Sequence, residues 1–477
     1  MFKLNRAVKQ LVVKSVLTSL IAITSIQAIL FYKTLSFVFL KEDILKKSTT
    51  NAVNPFLEDQ KSWLVGTSDD KMLFIVIDTL GYYLAKPNLS ILSQIQEKEP
   101  NNTIYLKAKT DSLTVTGPRL LSLMTGTNPT IMDLIQNVEH SEEIKIDNIP
   151  SKMKAANKTI YFIGDDTWVK LFPTSFTYFT DMQSFNIFSN GREDEHMINQ
   201  INKWLDKENN NEDPVDMIIS HFLGMDHIIH STNDIHSSNL AQEYDLFNKF
   251  IEDLINNQPN RTIVICSDHG VSLRASHGGD SQEETETFFF VYRKKGFAKN
   301  QPITQQLMAD IPNYPINNLL SRVQCNQSDK KQQCGQFEGM LQVDVAINLS
   351  NILGLSIPYS SLGMVWPIFN NQYKEGDTEE ESKFKDTVAR NTYTALKQQI
   401  SYVMENQVYK DKIGEKNIFN FLSQEKVIDE LYKEFLKDNT VQKLKILFEK
   451  CFDLNEYRQM SILRIQMMKP RKQIKLI

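Results

Sequence analysis

The sequence predicts an α/β domain built on a mostly parallel sheet. Apolar, β-branched runs of strand length alternate with segments whose apolar residues have helical spacing, which is typical of βαβ units. Several of these runs end in polar or charged residues, as expected where parallel strands deliver side chains to the carboxyl edge of a sheet. The 477 residues, 41% of them hydrophobic, can bury a large core. The formal net charge of -5, with both signs interspersed, gives no indication of a nucleic-acid partner.

The N-terminal residues predict a membrane anchor. Residues 1–14 are basic and would form a short cytoplasmic N-terminus, and residues 15–40 are almost wholly apolar, long enough for one transmembrane signal anchor. A cleaved signal peptide ending near Ala28 is the alternative, but the apolar run continues well past that residue. Residues 41–70 are then a polar connector.

Glycosylation signals and cysteines are compatible with a lumenal body. Cys325 and Cys334 lie close together in a polar loop, where they could form a local disulfide or remain free thiols. Cys266 lies in a predicted strand and Cys451 in a predicted helix. Six Asn-x-Ser/Thr sites follow the N-glycosylation rule, at Asn88, Asn101, Asn157, Asn260, Asn326 and Asn348.

The first two predicted strands introduce a carboxylate and a hydroxyl. Residues 72–77 form a buried strand followed by Asp78. A charged residue at the end of a buried run usually serves a function, so Asp78 is either a functional carboxylate or a helix N-cap. After a second strand at residues 103–106, helical spacing begins near Pro118, so Thr116 lies at a helix N-terminus. Exposed backbone amides there favour a phosphate, and a metal could ionise the hydroxyl, which makes Thr116 a candidate nucleophile. Thr116 could equally be the helix N-cap, and both roles can hold at once.

The next two strands end in further acidic residues and histidine. Residues 159–164 form a strand followed by Asp165 and Asp166, and residues 217–224 form another. Asp226 and His230 come after the latter, four positions apart, so that one helical turn would bring them to the same side.

A fifth strand, residues 263–266, is followed by Asp268 and His269. His277 comes shortly after them on a glycine-rich loop that can return to the same place. Aspartate and neutral histidine suit zinc. Residues 288–292 form a further strand, residues 342–353 a helix closed by Gly354, and residues from 379 to about 467 a charged helical region.

All of these candidate side chains fall at or just beyond strand ends, and therefore at one edge of the sheet. Several carboxylates converging there would repel one another unless a cation neutralised them, so a metal centre is expected. Their number suits two zinc ions. The residues are Asp78, Thr116, Asp226, His230, Asp268, His269 and His277.

The same motifs resemble those of the alkaline phosphatase superfamily and, within it, the GPI ethanolamine phosphate transferases. Residues 164–168 (GDDTW), 222–227 (FLGMDH) and 277–281 (HGGDS) look like motifs of these transferases, and they occur in the family's order. The 184–186 stretch (SFN) and the HGGDS loop are most similar to the PIG-O class, which modifies the third mannose; the class that modifies the second mannose is the closest rival. The resemblance covers roughly residues 70–370, and more faintly the later helical segment.

This resemblance implies an alkaline-phosphatase-like fold, with residues 71–370 as a lumenal catalytic domain and residues 371–477 as a helical C-terminal extension. It places the protein in the endoplasmic reticulum membrane, where phosphatidylethanolamine is the donor, a mannosylated GPI precursor is the acceptor and a small membrane subunit is a possible partner. Family members continue into many membrane spans after this domain, whereas this sequence continues into charged helices.

The resemblance also assigns roles to individual residues. One zinc ion would be held by Asp226, His230 and His277, and the other by Asp78, Asp268 and His269, with Thr116 between them. Thr116 would attack the phosphorus of the donor and carry phosphoethanolamine to the mannose. Gly81 and Tyr83 stand where the family tends to have Arg and Asp, which puts the donor contacts there in question. Further substrate contacts are implied for Arg119, Asp165, Asp166 and Trp168.

Three other functions compete with this one. A membrane-anchored phosphodiesterase of the same superfamily would use the same centre with water as the acceptor. A non-catalytic subunit is disfavoured because every expected ligand is present. A sulfatase is disfavoured because Thr116 stands where that family has Cys or Ser.

Overall fold

The strands of the described residues form one mixed sheet in the order β4-β3-β5-β1-β6-β7-β2-β8. All pairings are parallel except those of β7, which runs antiparallel to both β6 and β2. The predicted α/β class and mostly parallel sheet are thereby confirmed. The strands are β1 (Lys71–Ile77), β2 (Thr103–Lys109), β3 (Ile160–Asp165), β4 (Tyr178–Met182), β5 (Met217–Phe222), β6 (Arg261–Cys266), β7 (Glu286–Tyr292) and β8 (Met340–Leu341).

This computed structural model describes residues 71–127, 147–182, 192–210, 214–257, 260–309, 339–405 and 415–467, together with positions 27 and 212. The predicted anchor and connector, the stretch 184–186 and the Cys325–Cys334 pair lie outside these residues. Within them, no helix combines the length and the apolar character needed to cross a bilayer.

The helices cover both faces of the sheet and continue beyond it. They are α1 (Tyr82–Asn88), α2 (Ser90–Lys98), α3 (Thr116–Thr125), α4 (Ile149–Ala155), α5 (Thr167–Leu171), α6 (Arg192–Asn209), α7 (Gly224–Thr232), α8 (Ser238–Asn257), α9 (Gln282–Thr285), α10 (Pro302–Met308), α11 (Asp344–Leu353), α12 (Thr378–Glu405), α13 (Glu415–Lys437) and α14 (Val441–Met467). Short 3-10 turns occur at Ala298–Asn300 and Pro367–Phe369.

Strand β1 lies at the centre of the sheet and is buried on both faces. Its alternate side chains belong to two different cores: Leu73 and Ile75 pack on one face, and Phe74 and Val76 on the other. Helices α1, α2, α7 and α8 contribute to the first core, and α3, α4 and α11 to the second. A strand buried on both sides must be apolar almost throughout, which is why it was recognisable from the sequence.

The C-terminal helices have a core of their own. Helices α12, α13 and α14 pack together with α10, and Tyr393 stacks on Tyr432 with ring centroids 4.1 Å apart. Ile428 and Phe435 of α13 are buried there, as their helical spacing predicts. Phe452 of α14 reaches the second core of the sheet, so these helices pack directly on the α/β region.

Candidate metal centre at the carboxyl edge of the sheet

The carboxyl ends of three adjacent strands bring the predicted ligands together. Strands β5, β1 and β6 are neighbours in the sheet. Asp78 follows β1, while Asp268 and His269 follow β6. Asp226 and His230 lie on α7, which begins directly after β5, and His277 lies on the loop between β6 and α9. Gly81 is the N-cap of α1, so Asp78 does not cap that helix.

Asp226, His230 and His277 form one cluster. The Nε2 atoms of His230 and His277 lie 3.3 and 3.6 Å from Asp226 Oδ1, and 3.0 Å from each other. The spacing of four residues on α7 places Asp226 and His230 on one side of the helix, as predicted. These three side chains could hold one metal ion.

Asp78, Asp268 and His269 form a second cluster that is almost completely buried. His269 Nε2 lies 3.6 Å from Asp78 Oδ1 and 3.3 Å from Asp268 Oδ2. His221 also approaches it, with Nε2 3.9 Å from Asp78 Oδ2, and could offer a ligand atom alongside the two aspartates. No role was predicted for His221; the signal in the sequence is a histidine inside the otherwise apolar end of β5.

Thr79 connects the two clusters. Its hydroxyl lies 2.9 Å from Asp78 Oδ1 and 2.6 Å from Asp226 Oδ1, and its backbone N–H lies 3.3 Å from Asp268 Oδ1. Its φ angle is 65°, which is rare for a β-branched residue and costs conformational free energy. Sequence reasoning missed this residue, because no local pattern reports a positive φ at a threonine.

The electrostatics of the two clusters differ. Burial raises the pKa of Asp78 well above its usual value, and the carboxylates of Asp268, Asp226 and Asp165 raise it further. Burial acts in the same direction on Asp226, but the hydrogen bond and charge of His230 and the charge of His277 outweigh it and lower its pKa to about 2. The hydrogen bond with Asp226 raises the pKa of His230.

The residues present fit a pair of zinc ions. Asp268 Oδ2 and His269 Nε2 are buried side-chain atoms without a hydrogen-bond partner among the described residues, which is costly unless a cation meets them. His269 Nδ1 lies 3.0 Å from the Gly270 carbonyl and His277 Nδ1 lies 3.0 Å from the Thr114 carbonyl. A carbonyl only accepts, so Nδ1 carries the proton and Nε2 keeps a free lone pair for a metal. Carboxylate and imidazole ligands without cysteine suit zinc.

The candidate nucleophile begins a helix that is linked to one side chain of this centre. Thr116 is the first residue of α3 and is half-buried, while Val115 occupies the N-cap position, so the N-cap interpretation of Thr116 is wrong. Thr114 precedes it by two residues, which span at most about 7 Å, and accepts a hydrogen bond from the ring of His277. The start of α3 is therefore tied to a side chain of the first cluster.

The HGGDS loop is held against this segment by Thr114 and Glu284. Gly278 N–H donates to Thr114 Oγ1 at 2.9 Å, and Gly279 N–H donates to Glu284 Oε1 at 2.8 Å. Gly278 has a φ of 105°, and a Cβ atom at Gly279 would lie 2.9 Å from the Glu284 carboxylate. Gly278 is thus favoured by its conformation, whereas a side chain at Gly279 would have to displace the Glu284 carboxylate. Thr114 and Glu284 are residues of this segment that the sequence did not reveal.

Three of the four residues expected to contact substrate are buried: Arg119, Asp165 and Trp168. Asp166 is half-buried and pairs with Lys170 at 2.7 Å. Asp165 and Trp168 are buried, and Trp168 Nε1 donates to His221 Nδ1 at 3.1 Å.

Arg119 is also buried and is linked to the second cluster through Gln342. It bonds Thr110 Oγ1 and lies 3.4 Å from Gln342 Oε1. Gln342 Nε2 in turn donates to the backbone carbonyl of Asp268 at 2.6 Å. Arg119 therefore reaches the ligand loop through Gln342, and its role as a direct substrate contact stays a prediction.

Together, the mixed sheet and the bridged Asp/His clusters define a class of α/β proteins with a candidate two-metal centre at the carboxyl edge of the sheet. The family model described as type I phosphodiesterase / nucleotide pyrophosphatase matches residues 72–333, more than half of the chain. The chain belongs to this family.

The names of curated relatives describe a more specific activity than the name of the family does. GPI ethanolamine phosphate transferase 3, catalytic subunit, from Mus musculus is 27% identical over 313 residues, covering 62% of this chain and 25% of that protein. GPI ethanolamine phosphate transferase 2, catalytic subunit, from Homo sapiens is 29% identical over 311 residues, covering 62% of this chain and 28% of that protein. The chain thus spans about a quarter of the length of these relatives.

Among solved structures, the lipoteichoic acid synthase LtaP from Listeria monocytogenes is 12% identical with a TM-score of 0.42. The match covers 64% of this chain and 77% of that chain.

Proposed function

We propose that this chain transfers phosphoethanolamine from phosphatidylethanolamine to the third mannose of the GPI-anchor precursor. The observation that carries the proposal is the pair of Asp/His clusters joined by Thr79, with the N-terminus of α3 tied to one of them through Thr114 and His277. The names of the relatives support this activity, and the HGGDS loop favours the third mannose over the second.

The proposed centre holds two zinc ions. One set of ligands is Asp226, His230 and His277, and the other is Asp78, Asp268 and His269. When bound, zinc ions in this position lower the pKa of a nucleophilic hydroxyl and neutralise charge on the phosphoryl oxygens.

Thr116 is the proposed nucleophile. Its Oγ forms a bond to phosphorus as the bond from phosphorus to the diacylglycerol oxygen breaks, and diacylglycerol leaves with the proton. The backbone N–H groups of Thr116 and Gly117, the first two residues of α3, would donate to the phosphoryl oxygens. A mannose hydroxyl then forms the new bond to phosphorus, and Thr116 Oγ leaves and regains a proton.

The surrounding residues of the chain position this reaction. Arg119 and Gln342 hold the start of α3 and the Asp268 backbone in a fixed relation, while Thr114 and Glu284 fix the His277 loop. Preorganisation of this kind supplies much of the rate in phosphoryl transfer, because the protein performs little other chemistry.

The setting of the reaction follows from the same proposal. The donor is a membrane lipid, so the domain works at the lumenal face of the endoplasmic reticulum membrane, anchored by residues 15–40. A small membrane subunit is a proposed partner.

The test is peptide mass spectrometry of detergent-purified full-length protein after exposure to zinc and phosphatidylethanolamine. Wild type is expected to carry phosphoethanolamine on Thr116, and the adduct should be missing in Thr116→Ala and in chelator-treated protein. Zinc-loaded wild type that forms no adduct and consumes no lipid would refute autonomous transfer.

A phosphodiesterase is the second candidate, favoured by the name of the family to which the chain belongs. The same centre would then pass the phosphoryl group to water. Incubation of the purified protein with phosphatidylethanolamine, with and without a mannosylated glycolipid acceptor, separates the two. Phosphoethanolamine released at the same rate in both samples, with none on the acceptor, would identify the hydrolase.

A further inference from the structure

The six asparagines that fit the N-glycosylation rule differ in their places in the fold. We propose that Asn101, Asn157 and Asn260 are N-glycosylated, and that their glycans occupy the edge of the sheet opposite the Asp/His clusters. This inference rests on the lumenal setting of the proposed function, because N-glycans are added in the lumen. It does not depend on zinc or on the transfer reaction. Asn326 lies outside the described residues.

The three asparagines lie in exposed turns just before strands. Asn157 lies between α4 and β3, Asn260 directly precedes β6, and Asn101 lies two residues before β2. The carboxamide oxygen of Asn101 accepts a hydrogen bond from Asn300 Nδ2 at 2.8 Å, and this contact does not involve the nitrogen that takes the sugar. An exposed turn leaves room in solvent for a bulky, hydrated glycan.

These turns share one edge of the sheet because β2, β3 and β6 run in the same direction. Parallel pairings through β5 and β1 connect β3 with β6. Two antiparallel pairings through β7 connect β6 with β2, which restores the direction. Each turn leads into its strand and therefore lies at the amino edge, whereas the Asp/His clusters lie at the carboxyl edge.

The length of β6 separates the two edges. Asn260 comes immediately before this strand and Asp268 two residues after it, and its six residues span about 20 Å. Along the amino edge, β3, β6 and β2 are the second, fifth and seventh strands, so at about 4.8 Å per strand the three asparagines are spread over about 24 Å. Their glycans line most of this edge and leave the other edge, where a lipid must reach Thr116, uncovered.

Two further asparagines are unsuitable because of their contacts. Asn348 is fully buried, and its Nδ2 donates to the backbone carbonyls of Asp344 at 2.7 Å and Met364 at 2.8 Å. A sugar on this nitrogen would break these bonds and could not fit in the core, so a chain glycosylated there cannot adopt this fold. Asn88 is half-buried at the end of α1, and its Nδ2 donates to the Leu84 carbonyl at 2.8 Å.

The modification is a group transfer to the amide nitrogen. Asparagine Nδ2 loses a proton and forms a bond to C1 of an oligosaccharide, while the bond from C1 to the oxygen of a lipid diphosphate breaks. The lipid diphosphate leaves and the proton passes to solvent. The donor is a lipid-diphosphate oligosaccharide of the endoplasmic reticulum membrane, used there by an oligosaccharyl transferase.

The experiment maps glycans on full-length protein purified from eukaryotic cells. A peptide N-glycosidase in oxygen-18 water converts each glycosylated asparagine to a labelled aspartate, which peptide mass spectrometry locates. We expect label at all three proposed sites, each lost in its own variant: Asn101→Gln, Asn157→Gly or Asn260→Gln. Glycine is used at position 157 because it keeps the φ of 57°. Label at Asn88 or Asn348, or none at the three proposed sites, would overturn the proposal.

A matched variant places the same modification at the opposite edge. Arg274→Asn introduces an acceptor sequence at residues 274–276, in an exposed position of the loop between His269 and His277. Label at position 274 with none at the three natural sites would overturn the proposal and leave the lumenal setting intact. Label at no site, position 274 included, would contradict the lumenal setting as well.

A second measurement compares the effects of the two edges on the reaction. Glycosidase removal of the natural glycans from folded protein should leave the phosphoethanolamine adduct on Thr116 unchanged. A glycan at position 274 should reduce the adduct, because it projects from the loop that carries His269 and His277. A loss of adduct on removal of the natural glycans would overturn their placement away from the centre. A wild type that forms no adduct in either state would contradict the proposed transfer, with the label map still deciding which asparagines are modified.

Discussion

Thr79 Oγ1 lies 2.6 Å from Asp226 Oδ1, although the two residues are 147 positions apart in the chain. Because the same hydroxyl also lies 2.9 Å from Asp78, it is shared between a carboxylate of each cluster. A threonine at a φ of 65° is strained, and the surrounding strand ends must hold it there.

Replacement of Thr79 tests this bridge. Thr79→Val keeps the shape of the side chain but removes its hydroxyl. Asp78 and Asp226 then lose the hydroxyl that bridges them. In metal-free protein we expect a loss of about 1–3 kcal/mol in the free energy of unfolding, measured by urea titration. Thr79→Ser, which keeps the hydroxyl, should lose less. A valine variant as stable as wild type would show that the hydroxyl is dispensable.

Thr116 is tested by comparing alanine and serine. Thr116→Ala removes the proposed nucleophile, so transfer to a mannosylated acceptor should fall by at least about 10³-fold. Thr116→Ser keeps an attacking oxygen and should retain part of the rate and form an adduct at the same position. Zinc content of both variants serves as the control, and full activity in Thr116→Ala would exclude a covalent route through this residue.

The bond between Thr114 and the HGGDS loop predicts a coupled loss of stability and activity. Thr114→Val leaves the Gly278 N–H without its acceptor, which lies 2.9 Å away in wild type. Because this donor is only partly buried, its loss of a partner is expected to cost about 0.5–1.5 kcal/mol, measurable by thermal or urea unfolding. Adduct formation on Thr116 should fall as well, because His277 is anchored by the same segment. Thr114→Ser is the matched variant and should behave like wild type; equal effects in both would contradict the role of the hydroxyl.

Gly164 is predicted to be irreplaceable for a steric reason. Its φ is 139°, and a Cβ atom there would lie 2.3 Å from the backbone oxygen of His221. Gly164→Ala should therefore lower the free energy of unfolding by about 3 kcal/mol or more. Gly376→Ala is the control: its φ is 81°, but no atom lies within 4 Å of the new methyl group, so only about 1 kcal/mol is expected. Similar losses in the two variants would contradict the steric explanation.

Glu243 predicts a dependence of stability on pH. Burial raises its pKa from 4.5 to about 7, and the charge of Glu195 adds to this effect. The folded chain binds this proton more tightly than the unfolded chain does, so stability falls as pH rises between these two values. Glu243→Gln removes the titration and should be more stable than wild type by about 1–3 kcal/mol at pH 7.5. Glu252→Gln, exposed on the same helix, should show no such gain. A glutamine variant less stable than wild type at pH 7.5 would refute the prediction.

Six of the eight described strands, and the approach of the expected Asp and His residues to one another, were predictable because both follow from local patterns; β4 and β8 were not predicted. An apolar run followed by a charged residue indicates both a buried strand and the position of its carboxyl end, as with β1 and Asp78 or β6 and Asp268. The supporting residues were not predictable in this way. His221 approaches Asp78 from a neighbouring strand, and Glu284 accepts a hydrogen bond from Gly279; both contacts form only when the chain is folded.

Arg119 and Trp168 show the other limit of sequence reasoning. The family resemblance implies substrate contact for both residues, and both side chains are buried in the structure. Their roles as substrate contacts stay predictions. A polar residue in a functional motif can contact the ligand directly, or it can position other residues that contact the ligand. The structure adds the neighbours of each side chain, such as the hydrogen bond from Trp168 to His221, which the sequence does not reveal.

The reversed direction of β7 has a consequence for how such a chain can diversify. Since β7 returns directly beside β6, residues 267–285 leave and rejoin the sheet at the same edge, without a crossover to the other end. This one excursion carries Asp268, His269 and His277. The middle of this segment, around the exposed Leu273, can therefore change in length or sequence without shifting any strand. Related chains can differ in the surface above the Asp/His clusters while the clusters themselves keep their places.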